Sequence, residues 1–190
     1  MKRVVTSFPK IPVPRSFDRL DEFVDERWAV LRRSGALDRI FYTASEVGDF
    51  GMVWLAIAGT QAAFGTAERT RTALRLAAVL GCESIIVNGV IKSLFRRERP
   101  EWEQDRPLNL RRPRTSSFPS GHASSAVTAA LLLSVDPTPW RPAYWALAGV
   151  VATSRIHVKI HHGSDVLAGA LVGTVIGLAA RRVPLRGWLP

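Results

Sequence analysis

Residues 50–67 read FGMVWLAIAGTQAAFGTA, a run without a single charge. As one α-helix it would extend about 27 Å, close to the hydrocarbon thickness of a bilayer, so it reads as a membrane span. The pattern repeats outward from there. Residues 75–94, RLAAVLGCESIIVNGVIKSL, form a second apolar segment, interrupted by Glu83, Asn88 and Lys92. Those groups are costly in lipid and should face a bundle interior. A third run is uncharged from 118 to 135 and includes His122, a fourth covers 142–154 and a fifth 166–180. The last two are short for spans unless their polar ends are buried in protein. The fifth carries Gly169, Gly173 and Gly177, a small-residue ridge suited to close helix packing. Trp54, Trp140, Tyr144 and Trp145 fall near expected span ends and suit an interfacial aromatic belt.

The expectation is an all-α membrane helix bundle of about five transmembrane helices. A soluble helical domain is the competing reading, but too few amphipathic segments remain to cover five such helices. One amphipathic segment does precede the spans. Phe17, Leu20, Val24, Trp28 and Leu31 recur at three- or four-residue spacing among charged residues, so this helix should lie on the membrane or pack on the bundle. The expected division is an amphipathic segment at 1–45, a membrane domain at 46–185 and a tail at 186–190. The opening MKRVVTSFPKIPVP lacks the apolar core of a secretory signal, so no cleavage is expected.

The bulk numbers fit this plan. At 190 residues the chain has room for one domain, and its mean hydropathy of +0.07 averages very polar with very apolar segments. The 26 Lys and Arg against 16 Asp and Glu give +10, which suits nucleic acid, anionic headgroups or a phosphorylated substrate. A single cysteine, Cys82, excludes an internal disulfide and a cysteine-based zinc site, and its apolar setting predicts a small buried hydrophobe.

Three polar islands sit at the ends of the apolar segments: KSLFRRERP (92–100), PSGH (119–122) and SRIHVKIHHGSD (154–165). Five consecutive spans gather all three on one face of the membrane. Together they supply the cations Lys92, Arg99 and Arg155, a helix start at Ser120 and Gly121, the histidines His122 and His161, and the carboxylate Asp165. Arginine forks match phosphate oxygens, and the first amides of a helix point at an anion. His161 and Asp165 are four apart, so the carboxylate can hold one imidazole nitrogen and leave the other nucleophilic. His122 is then free to protonate a leaving oxygen. His157 and His162 fall off this pattern and read as structural. Most arginines between 96 and 114 read as solvated or headgroup-facing, with only Arg99 in the site. Glu83 is balanced between a functional group and a partner of Asn88 or a neighbouring helix.

These motifs resemble the three-part signature of the phosphatidic-acid-phosphatase type 2 (PAP2) family, K-x6-R-P, P-S-G-H and S-R-x5-H-x3-D. Lys92, Arg99 and Pro100; Pro119 to His122; and Ser154, Arg155, His161 and Asp165 match at every position. The resemblance is good over residues 88–177 and loose over 1–45. It implies a bacterial integral-membrane enzyme that removes a terminal phosphate from a lipid: phosphatidic acid, a prenyl phosphate or diphosphate, or a lipid-linked sugar phosphate. By resemblance His161 is the nucleophile, His122 the acid and later the base, and Asp165 the group that holds His161. Lys92, Arg99, Arg155 and the amides of Ser120 and Gly121 hold the phosphoryl oxygens. No metal or cofactor is implied.

A soluble acid phosphatase or vanadate haloperoxidase with the same pocket is the rival within this chemistry, and a basic membrane adaptor without turnover the rival outside it. Nucleic acid is not an expected partner, because acids interleave with the basic residues. The side of the membrane follows from charge. Outside the catalytic cations, the face bearing the islands and the N-terminus carries more than twice as many Lys and Arg as the other, which favours a cytoplasmic site.

Overall fold

The computed structural model describes residues 11–101, 110 and 113–183. Seven helices follow one another: α1 (Asp18–Leu31), α2 (Gly35–Val47), α3 (Met52–Ala63), α4 (Ala67–Leu94), α5 (Gly121–Leu133), α6 (Arg141–His157) and α7 (Gly163–Arg182). A two-residue parallel pairing joins β1 (Ile11–Pro12) to β2 (Phe95–Arg96), with Ile11 opposite Phe95.

α5 is the hub, and its composition explains why. Ala123, Ala126, Ala129 and Ala130 are fully buried, and such short side chains let neighbouring helices approach on every side. α7 comes closest, along its glycine ridge. A Cβ at Gly169 or Gly173 would collide with the carbonyl oxygen of Ser120 or Ser124, and one at Gly177 would sit 2.7 Å from a Leu131 methyl. The Thr128 hydroxyl donates to the Gly173 carbonyl at 3.0 Å across the same seam. The opposite face of α7 presents Leu167, Leu171, Val175 and Leu178 outward, with Leu171 69% and Val175 68% exposed. A contiguous apolar stripe of this kind needs a solvent other than water, and lipid supplies it.

α3 to α7 stand where five spans were expected, with different lengths. α4 and α7 are long and apolar enough to cross a membrane alone. α3 has 12 residues and α5 has 13, about 18 and 20 Å of helix. α3 starts late because the chain turns sharply at Phe50 (φ 54°) and Gly51 (φ 69°). α5 is bounded by the Ser120 cap and by Ser134.

Three expectations are corrected. The N-terminal segment is two helices, because Ser34 accepts from the Leu37 amide (3.5 Å) and starts α2. Trp54 and Tyr144 belong to the core rather than an aromatic belt, Tyr144 receiving a hydrogen bond from Gln61, while Trp140 and Trp145 are exposed. Cys82 is exposed on α4, one position from the buried Glu83, because a helix turns consecutive residues to different faces. Of the two placements open to α1, packing on the bundle is the one seen. Its Val24 and Trp28 pack against Ala123, Ala152, Ile156 and Val166. The expected tail at 186–190 lies outside the described residues.

Candidate active site

Helix ends deliver the polar islands to one place. Lys92 follows a π-helical turn over Ile85–Ile91 and, four residues on from Asn88, shares a wall with it. Gly121 and His122 open α5, Arg155 lies in the last turn of α6, His161 in the link that follows, and Asp165 in the first turn of α7. Lys92, Gly121, His122, Arg155 and His161 line a single cavity of about 270 Å³. Its remaining wall includes Asp49, Glu83 and Asn88, and exposed residues, Phe50 (78%) and Ser84 among them, stand at its rim.

His161 is buried, with Nε2 3.4 Å from Arg99 Nη1 and Nδ1 3.5 Å from Asp165 Oδ2. Nδ1 has no closer partner among the described residues. Burial pushes the imidazole well below the ordinary histidine range; Asp165 pulls the other way, and Lys92 and Arg155 add to the depression. On balance these effects favour the neutral ring. Asp165 is fully buried. Its Oδ2 accepts from the His162 amide (2.9 Å), which caps α7, and its Oδ1 accepts from Arg97 Nη1 (2.6 Å).

The other expected residues divide. Arg155 is buried, lines the cavity and donates to the hydroxyl and carbonyl of Ser45, and its Nε has no partner among the described residues. His122 Nε2 sits 3.1 Å from both the Ser45 carbonyl and Asp49 Oδ1; two acceptors fix the proton on that nitrogen. Arg99 reaches His161 while its remaining donors hold the carbonyls of Pro113, Thr115, Ser116 and Ile160. Ser120 differs from expectation. Its amide is committed to the Asp165 carbonyl (2.9 Å) and its hydroxyl caps α5, so of the two residues whose amides were expected to meet an anion only Gly121 lines the cavity. A Cβ at Gly121 would lie 2.8 Å from Asn88 Oδ1, so a side chain there would displace the Asn88 amide.

Sequence reading placed Arg97 in a solvated loop and assigned nothing to Ser45, Asp49 or Asp21. Their contacts here bridge distant parts of the chain, and only the charge of Asp49 beside an uncharged run could have drawn attention to it. Glu83 does not pair with Asn88, which turns to Ser84 (3.3 Å); the buried carboxyl instead faces Ser124 of the neighbouring α5 and lines the cavity. His157 faces away, held 2.6 Å from Asp38 and stacked on Phe41.

The profile of the PAP2 superfamily matches residues 72–188, more than half of the chain. The chain belongs to the PAP2 superfamily. A decaprenylphosphoryl-5-phosphoribose phosphatase of Mycolicibacterium smegmatis is 35% identical over 126 residues, covering 66% of this chain and 67% of the relative. Its namesake in Mycobacterium tuberculosis is 33% identical over 139 residues (70% and 72%). An undecaprenyl-diphosphatase of Sulfolobus acidocaldarius is 28% identical over 141 residues (71% and 65%). The fold is shared with a transmembrane PAP2 phosphatidylglycerolphosphate phosphatase of Bacillus subtilis, at TM-score 0.68 and 22% identity over 88% of this chain and 86% of that one. It is shared also with Aquifex aeolicus LpxE, at TM-score 0.65 and 24% identity over 83% and 94%.

Proposed function

We propose that this PAP2 protein is a metal-independent phosphatase that removes a terminal phosphate from a membrane lipid through a phosphohistidine, with a prenyl-linked sugar phosphate as its first candidate substrate. The observation that carries the reading is the buried His161 set between Asp165 and Arg99, facing a cavity walled by Lys92, His122 and Arg155. His161 Nε2 attacks phosphorus as the P–O bond to the alcohol breaks, and a doubly protonated His122, its Nε2–H kept on Ser45 and Asp49, gives the departing oxygen the proton of Nδ1. Asp165 steadies the imidazolium-like ring. Water then attacks the phosphohistidine and gives a proton to His122, releasing phosphate and free His161. Lys92, Arg99, Arg155 and the Gly121 amide supply fixed positive charge to the transition state. Ser120 acts indirectly, by capping α5 and holding Asp165.

The substrate class rests on two supports. Relatives at 33–35% identity carry the name of a phosphatase for a prenyl-linked phosphoribose. Asp49, Glu83 and Asn88 place hydrogen-bond acceptors in the same cavity as the cations, a pairing that suits a hydroxyl-bearing headgroup over a bare alkyl phosphate. Phosphate release from prenyl-linked sugar phosphate, phosphatidic acid and prenyl phosphates in detergent, with and without EDTA, tests the reading. Turnover in EDTA with vanadate inhibition is expected, and loss in EDTA reversed by magnesium overturns the mechanism. The excess of cations on the site-bearing face favours a cytoplasmic opening. An alkaline-phosphatase fusion after residue 190 should then be active, while fluorescence of a cytoplasm-only tag there would reverse the orientation.

A further inference from the structure

α1 lies outside the region matched by the family profile, yet one of its side chains reaches the back of the catalytic pair. Asp21 is a buried carboxylate on a helix whose other acids are exposed or only half-buried. Its Oδ1 accepts from the Ser164 amide at 2.8 Å, satisfying a free N–H in the first turn of α7. Its Oδ2 accepts from the Ser164 hydroxyl at 2.9 Å and from Arg97 Nη2. Arg97 in turn sends Nη1 to Ser164 Oγ and to Asp165 Oδ1, each at 2.6 Å. Asp21, Arg97 and Asp165 form a continuous line, carboxylate to guanidinium to carboxylate, ending on the group beside His161.

We infer that Asp21 and Arg97 are positioning residues for the His161–Asp165 pair, so that the N-terminal helix completes the active site. The inference rests on the reading of His161 as nucleophile. Asp165 Oδ1 is anchored by the planar fork of Arg97, which leaves Oδ2 directed at His161 Nδ1. Arg97 could swing away if only one carboxylate held it, and Asp21 closes the other side of the fork. The cation also offsets one of two carboxylates buried on either side of the same guanidinium, an arrangement that would otherwise repel. None of these groups lines the catalytic cavity except His161, so their effect on the substrate is indirect.

Full-length protein in detergent, assayed by rapid-quench phosphoenzyme formation and steady-state turnover, tests this. Asp21→Asn keeps the size of the side chain and removes its charge. It should lower kcat and the phosphorylation rate by about 10- to 100-fold with KM within about twofold. Arg97→Gln should do at least as much, and Arg97→Lys should recover part of the loss. In the Arg97→Gln background, Asp21→Asn should cost little more, since both act on one line. Folded Asp21→Asn protein with wild-type kcat, a loss confined to KM, or losses that multiply in the double variant would each overturn the inference. Should Asp21→Asn not fold, the comparison of Arg97→Lys with Arg97→Gln decides it: equal rates refute. Wild-type protein that never forms a phosphoenzyme would refute the nucleophile assignment instead, a separate failure.

Discussion

At the scale of single residues, burial holds the His161 imidazole below the ordinary histidine range. On the proposed mechanism it attacks only when unprotonated, and the neutral fraction falls as pH drops through that depressed folded-state pKa. The acid limb of kcat/KM is therefore expected well below pH 6.5. Asp165→Asn removes an interaction that raises this pKa, so the limb should move further down while the rate falls; an upward move would contradict the assignment. His161→Ala should abolish phosphoenzyme. His122→Ala should still form it from substrates with good leaving groups, which need little proton donation; labelled phosphoenzyme trapped in the His161 variant would show that the roles are misassigned. Glu83→Gln makes half of an acceptor pair a donor at the cavity wall. KM for a sugar-bearing lipid phosphate should rise several-fold more than KM for an alkyl phosphate, and equal changes would remove Glu83 from recognition.

At the scale of elements, the contrast among glycines is the sharpest test of packing. Gly173 has the backbone of α5 where a Cβ would go, whereas Gly81 on α4 has open space. Gly173→Ala should destabilise the detergent-solubilised protein by about 1–3 kcal/mol, and Gly81→Ala should be neutral or stabilise by up to about 1 kcal/mol. Thermal unfolding of both variants decides whether the ridge is a contact or a coincidence. This ridge was legible because four-residue spacing of small residues is a local pattern, and the three islands because polar groups at the ends of apolar runs stand out. The start of α2 at Ser34 lies just beyond Leu31, where the amphipathic spacing ends, and no pattern of that kind marked a second helix. What sequence could not reveal are bonds closed by tertiary folding. Asp21 meets Ser164 across 143 positions and Arg97 across 76, and nothing in α1 distinguishes Asp21 from Asp18 or Asp25. Trp54 was misplaced for a related reason: its depth depends on α4 and α5, which fold over it, and not on its distance from the end of a run.

At the scale of the whole molecule, α1 fastens more than one joint. Arg32 at its C-terminal end donates to the carbonyls of Ile156 and His157, the last of α6, at 2.9 and 3.1 Å, while Asp21 holds the first turn of α7. The link carrying His161 is thus clamped at both ends by a single helix, and Asp25 adds a tie to Lys159 within it (2.8 Å). The rim of the catalytic cavity has a different character. Phe50 and Ser84 border it, and Ile85, Ile86 and Val90 continue outward along the same stretch of α4. A lipid whose tail stays among those side chains arrives by two-dimensional diffusion, and its effective concentration is its mole fraction in the leaflet. Turnover should accordingly obey surface dilution: adding inert detergent at fixed bulk substrate slows the enzyme, and enlarging the volume at a fixed lipid-to-detergent ratio leaves each molecule's rate almost unchanged.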